Sequence, residues 1–113
     1  MEMKISEQEG IKVVAIEGAL DGNTVNDAQA GCTPLLGNKT KLVLDLKNCV
    51  YISSAGLRLL LMVAKTLAAQ AGVLVLSGVC AEIMDVMEMT GFSSFFKTYD
   101  SVSAAVEALK KGA

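Results

Sequence analysis

Two adjacent hydroxyl groups, on Ser53 and Ser54, are the side chains of this sequence best placed for chemistry, because they fall between a run of strand type and a run of helix type. A serine just ahead of an apolar periodic run is an N-cap signal. Its oxygen accepts from a free backbone N–H of the first turn, and its proton stays available for donation outward. As a nucleophile a serine hydroxyl is weak at neutral pH and needs a neighbouring base. The 113 residues include no histidine, and the G-x-S-x-G pattern of a nucleophile elbow is absent, which excludes a self-contained serine hydrolase triad. Lys47 and Lys65 are near in sequence, but a lysine without burial stays protonated and supplies no base. A base brought by another protein, such as a kinase active site, removes this objection. The pair therefore reads as a substrate rather than as catalytic machinery, although the local pattern alone favours the plainer reading of an N-cap doublet.

The elements that must position these serines are legible on either side. Leu42, Val43, Leu44 and Leu46 form the nearly continuous apolar run of a strand covered on both faces. Leu57, Leu60, Leu61, Ala64 and Ala68 recur at helical spacing, which predicts a main helix from Gly56 to about Ala71. Before them, Met3 and Ile5 alternate with polar residues, and Ile11, Val13, Val14 and Ile16 follow the turn signal Glu9-Gly10, giving two opening strands. A helix entered through Asn23 or Thr24 and running to about Leu36 contains Gly31 and Pro34, so it is expected to be short, kinked or broken. Val73–Leu76 reads as a short buried strand and Ala81–Met89 as a helix ending at Gly91. Phe95–Tyr99 reads as a last strand, and the final helix opens at Ser101 with lysines at its C-terminal end. Strands alternating with helices after a hairpin predict one α/β domain over residues 1–113, a mixed sheet of about four to five strands with about four helices packed on it. In such sheets functional groups collect where strands end and helices begin.

The stretch LDLKNCVYISSAGLRLLL, from Leu44 to Leu61, resembles the phosphorylation-site signature of STAS domains, in particular the bacterial anti-sigma factor antagonists. Its Leu-Asp-Leu, aromatic, aliphatic, small pair and Gly-Leu carry the likeness. Glu17-Gly18-Ala19-Leu20-Asp21 is similar to the family's Gly-Glu-Leu-Asp segment, and Met89-Thr90-Gly91-Phe92 to its late Ser-Gly-Leu turn, so the likeness spans nearly the whole chain. Matching on Gly56 places Ser54 at the family's phosphate-acceptor position, with Ser53 as competitor. Ser53 stands where the family often has Asp, and Ala55 where it often has Ser or Thr. The resemblance implies a STAS fold and a partner-switching cycle. The unphosphorylated protein binds an anti-sigma factor serine kinase and frees a sigma factor; the kinase phosphorylates Ser54, the complex loosens, and a serine phosphatase resets it. A second reading is a phosphorylation-independent STAS subunit serving as a structural partner in a lipid-transport or signalling assembly.

Around the acceptor the expected partner-binding set is Asp21, Ser53, Ala55, Gly56, Arg58 and Met62. Arg58, Met62, Lys65 and Thr66 are helical neighbours on the face opposite the leucine stripe. Asp21 beside Gly22 is a turn residue by pattern, and the resemblance makes it a second contact for a partner kinase. Asp45, at a strand position, is expected to face outward or to cap the following turn, since a buried carboxylate needs partners. Phe92, Phe95 and Phe96 read as core.

Composition narrows the remaining classes. Half of the chain is hydrophobic and there is one proline, which fits a compact domain rather than a disordered one. A net charge of −2 with dispersed lysines gives no nucleic-acid footprint. The longest apolar stretch, Leu59–Ala64, is far short of a membrane span, and no signal-type segment opens the sequence, so a cytoplasmic protein without membrane insertion is expected. Cys32, Cys49 and Cys80 form no C-x-x-C pair and are odd in number, so they are expected to be reduced and not to hold zinc. A receiver domain's acidic pair and lysine cannot be placed, and a phosphate-binding glycine loop with lysine is absent. No cofactor is expected, and the protein is expected to act by binding rather than catalysis.

Overall fold

The computed structural model describes residues 1–112, within which there are six strands and four α-helices. They follow in the order β1 (Glu2–Gln8), β2 (Ile11–Leu20), α1 (Val25–Cys32), β3 (Lys41–Asp45), β4 (Cys49–Ile52), α2 (Ser54–Ala69), β5 (Val73–Ser77), α3 (Ala81–Met89), β6 (Lys97–Tyr99) and α4 (Val102–Lys110). The expected mixed α/β sheet is present, with one strand more than the four to five read from sequence. β1 and β2 form an antiparallel hairpin with Gln8 opposite Ile11, closed by Glu9 and Gly10, both at positive φ (52° and 81°). Two such residues make the turn whose twist matches the strands. The other pairs are parallel, in the order β1-β2-β3-β5-β6.

The parallel strands bury both faces, and their period of two divides the core. Val14, Ile16, Leu42, Leu44, Leu74 and Leu76 lie under α1, α2 and α3 with Leu60, Val63, Leu67, Ile83 and Met87. The alternate residues Ile11, Val13, Val43 and Val75 lie against Ala105, Val106 and Leu109 of α4.

The extra strand comes from the segment that sequence pattern assigns to a turn. β3 ends at Asp45, whose Oδ1 accepts from Lys47 N (3.1 Å), so this carboxylate caps the turn as expected. After that turn the chain becomes extended again, and β4 takes the place beside β2 that β3 has vacated. β2 pairs with β3 through Ala15 and with β4 from Gly18, and the register shifts between Gly18 and Ala19. β4 escapes a periodicity reading because it has four residues with only its ends, Cys49 and Ile52, buried.

α1 is short and broken as expected: it gives way at Thr33 to a 3₁₀ turn, Thr33–Leu35, that carries Pro34 near its start. There the missing N–H costs little. Thr24 holds the N-cap position of α1, but its hydroxyl donates back to Ala19 O (2.9 Å) and accepts from Asp21 N (3.0 Å) rather than capping the helix. The aromatic cluster is only partly core. Phe96 is buried, whereas Phe92 is half-buried and Phe95 is 58% exposed. Phe92 and Phe95 share one side of a 3₁₀ turn and meet edge to face at 6.2 Å, so Phe95 covers its neighbour from outside. Cys32 and Cys49 are buried and burial pushes both thiols up; Cys80 is half-buried. Among the described residues no helix is long and apolar enough to cross a membrane.

Candidate functional site

β4 delivers the serine pair to α2, and the two serines take different positions. Ser53 is the N-cap, with extended backbone (φ −93°, ψ 176°), and its Oγ accepts from Gly56 N at 3.3 Å. Its carbonyl accepts from Leu57 N (2.9 Å), and its own N–H donates to Leu20 O (2.9 Å) at the end of β2. Ser53 is therefore engaged on every side and half-buried. Ser54 is the first residue of α2 and is exposed, and its hydroxyl makes no hydrogen bond among the described residues. Its location in the first turn puts it in the positive end of the helix dipole, which favours an added anion.

The bond from Ser53 to Leu20 is also what brings Asp21 to the site. Asp21 follows directly on Leu20, and its Oδ1 accepts from Asn23 N (2.9 Å), while Thr24 Oγ1 lies 3.4 Å away. The carboxylate thus holds the β2–α1 turn, as the pattern reading says, beside the start of α2. Gly56 permits this approach. A Cβ there would sit 2.7 Å from Leu20 O and 2.7 Å from Ile52 Cγ1, closer than any ordinary contact.

Along α2 the apolar stripe is rotated from its sequence expectation. Gly56, Leu57, Leu59, Leu60, Val63 and Leu67 are buried, whereas Leu61 and Ala64 are half-buried and Ala68 is exposed. The helix leans on α1 on one flank as well as on the sheet, so Leu59 and Val63 turn inward and Ala68 outward. Arg58 and Lys65 are exposed, with Met62 and Thr66 half-buried beside them. Two shallow hollows meet at Arg58 and Met62. One reaches Val25 and Gln29 of α1 and includes Ala55; the other includes Leu61, Lys65 and Thr66. The predicted residues therefore divide into a tight group, Asp21, Ser53, Ser54 and Gly56, and a continuing face, Ala55, Arg58 and Met62.

Some residues near the serines in sequence or packed beside the site were not anticipated from the sequence. Val50 and Tyr51 of β4 are 72% and 55% exposed and precede the serines in the chain. Their signal was a β-branched and an aromatic residue after the Lys47-Asn48 turn, too short a run to show alternation. Val25 and Gln29 arrive only through the packing of α1 on α2. A larger hollow, about 660 Å³, opens elsewhere beside α4 and is lined by Asp45, Lys47, Tyr99 and Ser101 among others. It contains none of the predicted site residues. The chain contains no histidine to serve as a base for Ser54.

The family described as STAS domain matches residues 2–105 of this chain. A protein of Bordetella bronchiseptica, BtrV, named as a candidate anti-sigma factor antagonist, is 32% identical over 111 residues, 97% of this chain and 96% of that protein. A candidate anti-sigma factor antagonist from Thermotoga maritima superposes with a TM-score of 0.89 at 17% identity, over 96% of this chain and 94% of that one. The Bacillus cell fate determinant SpoIIAA, solved in its phosphorylated form, gives 0.74 at 18% identity, over 96% and 99% of the two chains. At those identities the two structures share the fold.

Proposed function

This chain belongs to the STAS domain family, and on that premise we propose that it is an anti-sigma factor antagonist: one STAS domain over residues 1–113 that binds an anti-sigma factor serine kinase and is switched by phosphate on Ser54. The observation that carries the assignment is the division of labour between the serines. Ser53 spends its hydroxyl oxygen on the α2 cap, and Ser54 presents an unengaged one to solvent. BtrV, similar over nearly its whole length, supports the functional class.

In the proposed reaction the kinase supplies both the base and ATP. The base takes the Ser54 proton, the oxygen bonds to the γ-phosphorus, and ADP departs. Phosphoserine adds about −1.5 to −2 charges. In the first turn of α2 these are worth ~0.3–1 kcal/mol in the free domain, which therefore has no reason to rearrange. The cost falls on the complex, where acidic or closely fitted partner groups opposite Ser54 meet repulsion and desolvation. Loss of ~2–3 kcal/mol there weakens binding about thirty- to more than a hundredfold. The kinase then releases the domain and holds its sigma factor again, until a serine phosphatase removes the phosphate. Asp21, Ser53, Ala55, Gly56, Arg58 and Met62 form the surface that the kinase reads.

Incubation with the cognate kinase and ATP, followed by mapping of the phosphorylated residue by mass spectrometry, tests the reading. Phosphate on Ser54 in the wild type and in Ser53→Ala is expected. Phosphate on Ser53 overturns the residue assignment, and the absence of phosphate on either overturns the regulation.

A further inference from the structure

We infer that phosphate on Ser54 captures the Arg58 guanidinium within α2 and so withdraws that cation from the partner-binding face. The inference rests on the reading of Ser54 as phosphoacceptor. Ser54 and Arg58 are four residues apart on one helix, and both are exposed. Residues at this spacing are surface neighbours, and helical side chains lean toward the N-terminus, so Arg58 reaches back over the turn that holds Ser54. An anion four residues ahead of a cation is also the favourable order along a helix.

Arg58 is free to make the move. It forms no ion pair among the described residues. No other cation competes nearby: α1, the turn from Asp21 to Thr24, β4 and the first turn of α2 contain no lysine or arginine. The nearest in sequence are Lys47, before β4, and Lys65, two turns further along α2. The acid on the adjoining loop is Asp21, next in sequence to the Leu20 whose carbonyl accepts from Ser53 N, and a negative charge in that turn raises the worth of a counter-charge. A guanidinium fork binds phosphate oxygens in pairs, as a lysine cannot.

The consequence is a switch with two parts. The phosphate brings its own charge to the interface, and it also removes Arg58 from between the two hollows that meet there. Only one exposed side chain has to move.

Phosphoserine installed at position 54 during translation of the full chain makes the test independent of any kinase. The second ionisation of the phosphate, followed by ³¹P NMR, is expected below its usual value near ~6 in the wild type. It should rise by at least ~0.3 pH unit in Arg58→Gln, the size of an i,i+4 pair. Arg58→Lys should lie between, and Lys65→Gln should match the wild type. Equal titrations of wild type and Arg58→Gln overturn the capture and leave the Ser54 assignment standing; failure of the kinase to modify Ser54 overturns that assignment and leaves the titration valid. In binding, if Arg58→Gln costs the unphosphorylated protein ~10-fold, phosphate should weaken the variant by a correspondingly smaller factor than the wild type. An equal or larger factor in the variant contradicts the withdrawal, because repulsion alone grows when the arginine is removed.

Discussion

Gly56→Ala is expected to destabilise the fold although it replaces glycine by alanine inside a helix. The added methyl carbon would lie 2.7 Å from the Leu20 carbonyl oxygen, 2.7 Å from Ile52 Cγ1 and 3.0 Å from Leu20 Cγ. Ordinary contact begins near 3.4 Å, so the start of α2 must retreat from the end of β2. Leu20 O is fixed backbone and already accepts from Ser53 N at 2.9 Å, so the retreat strains the bond that docks the helix. Overpacking costs ~1–3 kcal/mol, and a rigid partner places this case at ~2–3. The helix propensity of alanine returns ~1 kcal/mol. The net loss is ~1–2 kcal/mol, or a fall of ~4–10 °C in Tm for a chain of this length. Gly31→Ala is the control. There the new carbon meets Met3 Cε at 2.8 Å and Sδ at 2.9 Å, the free end of a flexible side chain. With Met3 turning aside, the propensity gain of ~0.5–1 kcal/mol survives. Urea titration with unchanged m-values, alongside calorimetry, measures both variants. A Gly56→Ala protein as stable as the wild type, or more so, would refute the close approach of Leu20 to α2.

Ser53→Ala removes the α2 cap and should cost ~1 kcal/mol, whereas Ser54→Ala should leave the urea midpoint within ~0.5 kcal/mol of the wild type; the reverse order would refute the assignment of cap and free hydroxyl. Arg58→Glu should weaken binding of the kinase partner at least ~10-fold in a titration, with thermal stability nearly unchanged because the side chain is exposed; equal affinity would remove Arg58 from the interface. The buried thiols of Cys32 and Cys49 set a pH dependence, because burial raises their folded-state pKa values and the folded protein holds those protons longer than the unfolded chain does. Their contribution is complete below the unfolded thiol value near ~8.5 and is lost as pH rises above it. Tm should therefore fall as pH rises through the thiol range, above ~8.5, and fall less steeply in Cys32→Ala/Cys49→Ala; parallel pH profiles would refute it.

The elements with strong local signals were legible in the residues. The Glu9-Gly10 turn, the doubly buried β3 and the Ala81–Met89 helix follow from the pattern. So does the opening of α4, where Ser101 Oγ accepts from Ala104 N at 3.1 Å. The break in α1 was visible as Gly31 and Pro34, which oppose a continuous helix. What stayed hidden depends on distant neighbours. β4 exists because β2 outruns β3 and leaves backbone groups to be paired, which no window of four residues reveals. The turn of the α2 stripe toward Leu59 and Val63, away from Ala68, is set by the added contact with α1. Of the site, the serine pair and Arg58 were marked by type and spacing, whereas Asp21 reads by pattern as a turn residue and only the family resemblance made it a contact. The different roles of Ser53 and Ser54 are set in three dimensions, because either serine suits a cap by composition and only the direction of the chain leaving β4 decides which one fills it. Gly56 reads in sequence as the motif glycine that opens the main helix and as a partner contact, and its use as a contact point for Leu20 appears only in three dimensions.

The proposed switch requires that phosphate on Ser54 break the partner complex without unfolding the domain. Its most direct test is a binding titration of the cognate anti-sigma factor kinase with the unmodified protein and with the protein phosphorylated only at Ser54, monitored together with the Tm of each form. Affinity lower by about thirty- to more than a hundredfold is expected for the phosphorylated form, with the two melting temperatures within ~5 °C of each other. Undiminished affinity after stoichiometric phosphorylation of Ser54 would contradict it.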